Sequence, residues 1–450
     1  MQLSRFVLIY RSVAENEHIL YSVLNDRYAG VDTTTLDTIE LWQAGISPQG
    51  PEEMELAEVL KESGFLVSAR EEDDEALQRH LARASEGKPG TMYVTLMPTL
   101  ACNLACNYCF QKDSPAFNRM NSTVESGTVQ WILDRAAAAN CGRLCVHYFG
   151  GEPLTRKDLV LRTARTFSEA MTRRGGSFNW EITTNGVHLD LPFAAEMRQY
   201  GDGIIKITLD GDRETHDSAR TYRDGRGSFD QIFANLLEVA GHVRLRIGGN
   251  FYAGQEASYE RLMERLDRAG LLAKLEEVHF KPVVDTSRSE SGGCTGCAAS
   301  AKETTDTLIQ INRAVQKRAS SMPSLLDVKL PTAPCELHWK NSYTIDPDGG
   351  VFKCPAVAGR PELAIANVCS ERPEKPAPLL LYRPWEQCGD CAFMPVCMGG
   401  CLGGQYLATG RLDQVFCKKP EFEANFREQI TGRYRRELGD RHWDLVAAEA

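Results

Sequence analysis

Cys102, Cys106 and Cys109 stand in a CxxxCxxC spacing directly after an apolar, β-branched run, within Tyr93 to Phe110, YVTLMPTLACNLACNYCF. A strand that ends in a loop carrying three thiolates can wrap one cubane iron-sulfur cluster. Three ligands for four irons leave one iron without a protein ligand, and that vacancy is a place to bind and activate something. Structural zinc would want a fourth Cys or His close by, and residues 110 to 140 supply none before Cys141.

A second concentration of thiols lies toward the C-terminus. Thirteen residues separate Cys335 from Gly349, and four more separate Gly349 from Cys354. Cys388, Cys391, Cys397 and Cys401 then form CxxCx5CxxxC, and Cys417 closes the set. Ten of the chain's 15 cysteines thus fall in two patterned groups. Disulfides would need an oxidising compartment, and the N-terminus MQLSRFVLIYRS lacks a long apolar core followed by a small-residue cleavage site. Metal ligation is the better account of the thiols, and a cytoplasmic location is expected.

Stepping outward from the cysteines, 450 residues with 42% hydrophobic and 25% charged content suit a folded protein of two to four domains. A formal charge of -10 argues against a nucleic-acid partner held by phosphate contacts, and the longest apolar runs are far too short to span a bilayer. No nucleic acid and no membrane are expected as partners.

The elements that must position the first triplet alternate along the chain. Strands are expected at Met92 to Met97, Leu144 to Phe149, Phe178 to Thr184, Gly203 to Leu209, Val243 to Phe251 and Val278 to Pro282. Helices are expected to begin near Val124, Thr155, Leu189, Ser228, Gln255 and Lys302. Six strand-helix units in succession mean a parallel sheet with right-handed crossovers, and six rather than eight fits a partial barrel. Chemistry in such a fold belongs at the C-terminal strand ends.

Residues 1–70 read as a separate module: strands at Arg5 to Tyr10, His18 to Val23 and Tyr28 to Val31, helices at Asp32 to Trp42 and Glu52 to Ser63, and a short return piece at Phe65 to Val67. Residues 71–90, EEDDEALQRHLARASEGKPG, read as a partly helical linker whose acidic run is a solvated face. The barrel occupies 91–325 and the cysteine-rich domain 326–450.

CxxxCxxC with Tyr108 before its last cysteine resembles the signature of radical S-adenosylmethionine enzymes. The resemblance implies that S-adenosylmethionine chelates the open iron through its amine and carboxylate. One electron then releases a 5'-deoxyadenosyl radical, which takes a hydrogen atom from an unactivated carbon. Gly150-Gly151-Glu152-Pro153 resembles the family's GGEP stretch, which implies that Gly150, Gly151 and Glu152 receive the cofactor's amine. By the same likeness Asn185 reaches the cofactor, and Thr208 and Arg220 hold its carboxylate, a charge-assisted pairing that suits a guanidinium. His216 and Asp217 are expected to brace their loop.

The seven later cysteines resemble the SPASM pattern, which implies two auxiliary four-iron, four-sulfur clusters and three in all. The likeness assigns Cys388, Cys391, Cys397 and Cys417 to an outer cluster and Cys335, Cys354 and Cys401 to an inner one. Fully ligated relatives carry a further Cys shortly before the equivalent of Cys335, and this chain does not. The inner cluster therefore has an open iron or takes its fourth ligand from Cys294, Cys297 or Cys369. Cys141 and Cys145 read as core residues. In sulfatase maturases an Asp that serves as base follows the equivalent of Cys354; here Pro355 stands there, and no catalytic acid or base is evident.

The N-terminal module resembles the winged-helix, PqqD-like elements that recognise leader peptides, and an exposed strand edge there could accept a peptide as one more strand. The fold class expected is thus α/β: a partial (β/α)6 TIM-type barrel with an N-terminal peptide-recognition domain and a C-terminal SPASM iron-sulfur domain. The activity implied is crosslinking, thioether or carbon-carbon, of a ribosomally made precursor peptide, with flavodoxin or ferredoxin as the reducing partner. A residue oxidase of the sulfatase-maturase kind, a small-molecule radical enzyme and an electron-transfer protein are the alternatives.

Overall fold

The computed structural model describes residues 1–14, 16–111, 118–283, 299–319, 331–370 and 372–437. Cys294 and Cys297 lie outside these residues.

The chain opens with β1 (Gln2–Leu3), β2 (Val7–Ala14), β3 (Glu17–Ser22) and β4 (Arg27–Val31), then α1 (Thr33–Gln43), α2 (Gly50–Glu62), β5 (Leu66–Val67) and α3 (Arg70–Ser85). β2, β3 and β4 form an antiparallel three-stranded sheet. The short return strand β5 does not join it but pairs with β1. One core of this segment is its own, with Leu20, Leu36, Ile39, Trp42, Leu60 and Phe65 packed together.

The acidic run at the start of α3 is not merely a solvated face. Asp73 is 1% exposed and accepts hydrogen bonds from Ser4 Oγ at 2.6 Å and the Arg5 backbone N–H at 2.9 Å. Farther along the same helix Leu77 packs with Phe6, Leu337 and Leu402. A carboxylate that accepts two such donors is compensated for burial, which charge counting along a sequence does not register.

Six parallel strands follow, β6 (Thr91–Leu96), β7 (Arg143–Tyr148), β8 (Ser177–Thr184), β9 (Asp202–Thr208), β10 (Arg244–Phe251) and β11 (Leu275–Pro282). They alternate with α4 (Ser122–Ala138), α5 (Lys157–Arg173), α6 (Leu191–Met197), α7 (Arg213–Ala219), α8 (Phe229–Val239), α9 (Glu256–Arg268) and α10 (Ala299–Ala319). Asn121 caps α4 by accepting the Val124 N–H, and Asp212 does the same for Thr215 in α7. The strands lie in chain order across the sheet, as successive βα units require.

Their side chains alternate by face. On β8, Phe178, Trp180, Ile182 and Thr184 are buried while Asn179, Glu181 and Thr183 are half-buried. The apolar face packs under the helices in one large core that includes Leu144, Phe167, Ile205, Leu236 and Leu262. The other face is polar, and it lines a cavity of about 300 Å³ reaching from the strand starts Arg143, Asp202 and Arg244 up to Thr95 and His147. A closed barrel fills this space with branched apolar side chains; here it is kept for something else.

The cysteine-rich segment does not stand apart. Its β12 (Ser342–Ile345) pairs in parallel with β6, and β13 (Gly350–Phe352) and β14 (Ala366–Asn367) extend the same sheet to nine strands. Beyond it come α11 (Pro378–Leu381), α12 (Met394–Cys397), α13 (Leu402–Thr409) and α14 (Lys419–Glu437). The last helix returns to the N-terminus: Phe426, Ile430 and Tyr434 pack with Tyr21, Val23 and Phe393. Gly30 of β4 makes room for this, since a Cβ there would stand 1.9 Å from the Tyr434 hydroxyl oxygen. Among the described residues no helix is long and apolar enough to cross a membrane.

Candidate functional site

The loop after β6 carries Cys102, Cys106 and Cys109, and the ends of β7, β8 and β9 converge on it. Gly151 N–H donates to Thr99 O at 3.0 Å and Glu152 N–H to Ala101 O at 2.9 Å, so the GGE segment is fastened to the cysteine loop. Glycine is required there. A Cβ on Gly150, whose φ is +125°, would come 2.3 Å from Thr99 O, and one on Gly151 would come 2.2 Å from Ala101 O.

Glu152 is 1% exposed, and its carboxylate accepts from the Leu154 N–H at 2.9 Å, Thr184 Oγ1 at 2.7 Å and the Asn185 N–H at 2.8 Å. Burial pulls this carboxyl upward, and the three donors oppose it. The carboxylate therefore joins the end of β7 to the end of β8. Asn185 in turn points Nδ2 at Cys102 Sγ, 3.7 Å away, and at Asn103 Oδ1, 2.8 Å away.

On the far side of the loop Tyr108, Asp210, Arg220 and Asn250 form one network. The Tyr108 hydroxyl donates to Asp210 and accepts from Arg220 Nη1 at 2.6 Å and Asn250 Nδ2 at 3.2 Å. Arg220 Nη1 lies 3.7 Å from Asp210 Oδ2, and Asp210 Oδ1 accepts the Asn250 N–H at 2.7 Å. Arg220 and Tyr108 are thus engaged with the protein before any ligand arrives. Thr208 ends β9, half-buried, in the same row as Gly248 of β10.

The residues fit an iron-sulfur cluster and a small polar cofactor. Burial pushes the Cys102 thiol up to about 12, with Glu152, Cys106 and Cys109 adding to the rise. Burial also raises Cys106, while Arg220 draws it back. Thiols so placed ionise when a metal centre supplies the compensating positive charge. Three buried donors beside the loop, Arg220 Nε, Asn103 Nδ2 and Gln111 Nε2, have no hydrogen-bond partner among the described residues. Among the described residues no three His, Cys, Asp or Glu side chains converge on a single metal-ion position. Cubane thiolates differ, because each takes a different iron and the ligands stand apart.

The seven C-terminal thiols fall into two neighbourhoods. The thiols that raise Cys354, after burial has pushed it to about 12, are Cys401 and Cys335. Those that raise Cys397, itself pushed by burial to about 12, are Cys388, Cys391 and Cys417. Cys397 and Cys401 are four residues apart yet belong to different neighbourhoods, because Met398, Gly399 and Gly400 between them all take left-handed backbone, with φ of 42°, 82° and 81°. That run reverses the chain. Cys369 joins neither set. Its Sγ lies 3.3 Å from where a Cβ on Gly127 of α4 would stand.

His216 and Asp217 brace the loop after β9. His216 is fully buried, its Nδ1 accepting the Asp210 N–H at 3.2 Å and its Nε2 meeting Ser228 Oγ at 3.0 Å. Asp217 accepts the Ser228 and Phe229 N–H groups at 2.8 and 2.9 Å. Burial, helped by Arg220, pushes the His216 imidazole down to about 3. An unfolded chain takes up this proton near pH 6.5 and the native one does not. Stability is therefore full above about pH 6.5 and falls by about 1.4 kcal/mol per unit of further acidification. In His216→Gln that increment is missing. Thermal unfolding of both proteins between pH 7 and 5 should show their stabilities converging as pH falls; parallel curves would refute the assignment.

Sequence reading missed the polar layer inside the barrel. His147 Nε2 meets Thr183 Oγ1 at 2.8 Å, and burial holds the imidazole below its usual range. Glu181, Lys206, Arg246 and His279 share this inner face, with Lys206 paired to Arg246 and His279 to Gly248. The signal was the strict polar alternation in FNWEITT, KIT and RLRIGG, within strands that a buried parallel sheet would make apolar throughout.

Comparison with known proteins agrees with this geometry. Residues 96–270 match the Radical SAM superfamily. A 164-residue stretch, 36% of this chain, is 28% identical to the Fe-coproporphyrin III synthase of Methanosarcina barkeri and covers 37% of that protein. The chain thus spans little more than a third of the length of that curated relative. In fold it is similar to native anSMEcpe with bound AdoMet, with a TM-score of 0.57 at 16% identity over 76% of this chain and 100% of the other. It is also similar to Streptococcus suis SuiB bound to precursor peptide SuiA, with a TM-score of 0.50 at 14% identity over 93% and 99%. Residues 96–270 thus carry a radical SAM catalytic domain. The likeness to both solved structures is one of fold.

Proposed function

We propose that this enzyme is a peptide maturase that removes hydrogen from a residue of a ribosomally made precursor and installs a thioether or carbon-carbon crosslink. The observation that carries the reading is the pair of separate thiol neighbourhoods, one of which adjoins the barrel cavity through Glu336, the residue after Cys335. Cys102, Cys106 and Cys109 would hold the first four-iron, four-sulfur cluster, and the outer and inner thiol sets two more. Tyr108, Gly150, Gly151, Glu152, Asn185, Thr208 and Arg220 would surround S-adenosylmethionine. When bound and reduced, the cluster and S-adenosylmethionine supply a 5'-deoxyadenosyl radical.

A crosslink removes two hydrogens from the substrate. One leaves as an atom, the other as a proton and an electron, and that electron needs an acceptor within reach. Two further thiol sets answer the need; a simple epimerisation would not require them. The inner set holds three thiols among the described residues, which leaves room at an iron for a substrate thiolate.

The domain scheme of 1–70, 71–90, 91–325 and 326–450 gives leader recognition to the first segment. In favour of that, β4 forms an outer edge of its sheet and, among the described residues, pairs with β3 alone. A peptide added there would gain backbone hydrogen bonds, with side-chain pockets supplying choice. The fold neighbour SuiB is named as bound to a precursor peptide.

Coexpression with the short reading frame beside the gene, followed by mass measurement and fragmentation of the small product, tests the proposal. Loss of two hydrogens, mapped to a pair of residues, is the expected result. A product of unchanged mass would overturn it.

A further inference from the structure

Lys206 faces the barrel interior beside two acids, Glu181 and Glu277, that another cation has taken. Thr183, Lys206, Arg246 and Glu277 form one row across β8 to β11, and Arg246 takes the acids: its Nε lies 3.1 Å from Glu277 and its Nη1 3.8 Å from Glu181 of the row below. Among the described residues Lys206 has no ion pair or hydrogen bond of its own. Its side chain leans toward the C-terminal strand ends and occupies the hollow left by Gly248, where a Cβ would stand 2.4 Å from Lys206 Cε and 3.3 Å from Nζ. That is the row of Thr208 and His279.

One row higher are Lys281 and Asn250, the residue whose amide reaches Tyr108 on the cysteine loop. Lys281 also lacks an ion pair among the described residues, and its charge is felt by Lys206, by His279 and by Cys335 of the inner thiol set. His279 between the two lysines is held neutral by burial and by both cations. Two unpaired ammonium groups thus face the space between the first cysteine loop and the inner thiols. Glu181 and Glu277 offset part of the cost of burying Lys206, but both are shared with Arg246, and an anion supplied by a ligand would offset the rest.

We propose that Lys206, with Lys281, seats a carboxylate of the substrate, so that the stretch of peptide to be modified carries an acidic side chain beside the reacting residue. This rests on the maturase reading and names its substrate class. Lys206→Met suits the test, because the methionine stem still fills the Gly248 hollow, and Lys281→Met changes a surface-exposed position.

Weak-affinity chromatography on immobilised, cluster-loaded protein with S-adenosylmethionine present would compare acetyl-Gly-Asp-Gly-amide with its Asn and Lys counterparts. Free glutarate would be run alongside. The acidic peptide should be held about tenfold more tightly than the Asn peptide, as a charge-assisted contact allows, and the excess should vanish on the Lys206→Met and double-variant columns. A chain of net charge -10 repels anions in general, so such a preference cannot come from the surface at large. Equal retention, or a preference untouched by the substitutions, would overturn the proposal. So would a Lys206→Met protein that loses S-adenosylmethionine binding, since the lysine would then serve the cofactor. Lysine-dependent retention of glutarate keeps the acid seat standing even if the coexpression test finds no crosslinked peptide, so the two readings fail separately.

Discussion

Replacing Cys102, Cys106 and Cys109 together with alanine should remove about four of about twelve irons per chain after anaerobic reconstitution. Reductive release of 5'-deoxyadenosine should fall to background. The C-terminal sets should keep their about eight irons, because the core that supports them, around Leu337, Phe352, Leu363 and Leu402 and shared with Phe6, Leu77, Met97 and Leu100, contains none of the three substituted cysteines. The expectation is severe because two cysteines of the triplet meet different walls of the site. Cys102 lies against Asn185 at the end of β8, while Cys106 lies within the field of Arg220 after β9. Cys369→Ala, against α4, is the control and should leave the iron content unchanged. Full iron in the triple variant, or continued cleavage of the cofactor, would move the chemistry away from this loop.

Much of the scaffold around that loop was legible because it is local. A βα unit announces itself through an apolar run, a turn and a helical stripe, and the six strands begin within a few residues of their expected starts. What the sequence could not supply were the joints between units. Glu152 reads as part of a glycine turn, but its carboxylate is spent on Thr184 and Asn185, more than 30 residues away. The acidic start of α3 reads as a solvated face until Ser4 and Arg5 are seen to bury Asp73. Nor does the CxxCx5CxxxC spacing reveal that its last two cysteines part company. That depends on a left-handed backbone at Met398, a residue type that rarely adopts it.

Lys206 shows the same limit from the other direction. Its position in KIT at the end of β9 is readable as inward-facing. Its freedom is not, because that is decided by Arg246 having already claimed Glu181 and Glu277 from two other strands. The polar interior as a whole was nevertheless written in the alternation of β8 to β10, where a fully packed parallel sheet would have shown unbroken apolar runs.

Arg220 gives the second large expected effect, since it is 8% exposed and holds both Asp210, 1% exposed, and Tyr108. Arg220→Met leaves the Asp210 carboxylate buried against an apolar chain, a loss of about 3–5 kcal/mol for a broken buried pair. Asp210→Asn in the same chain removes the stranded charge, and most of the lost stability should return, as seen in urea unfolding. Cofactor binding should not return with it. The unpartnered Arg220 Nε is the donor left over for an anionic ligand, and neither methionine nor asparagine replaces it. Equilibrium dialysis with labelled S-adenosylmethionine separates the two roles: a double variant as stable as the parent and still at least about tenfold weaker in binding assigns Arg220 to the cofactor. Recovery of binding along with stability would instead confine Arg220 to holding Asp210 and the cysteine loop in place.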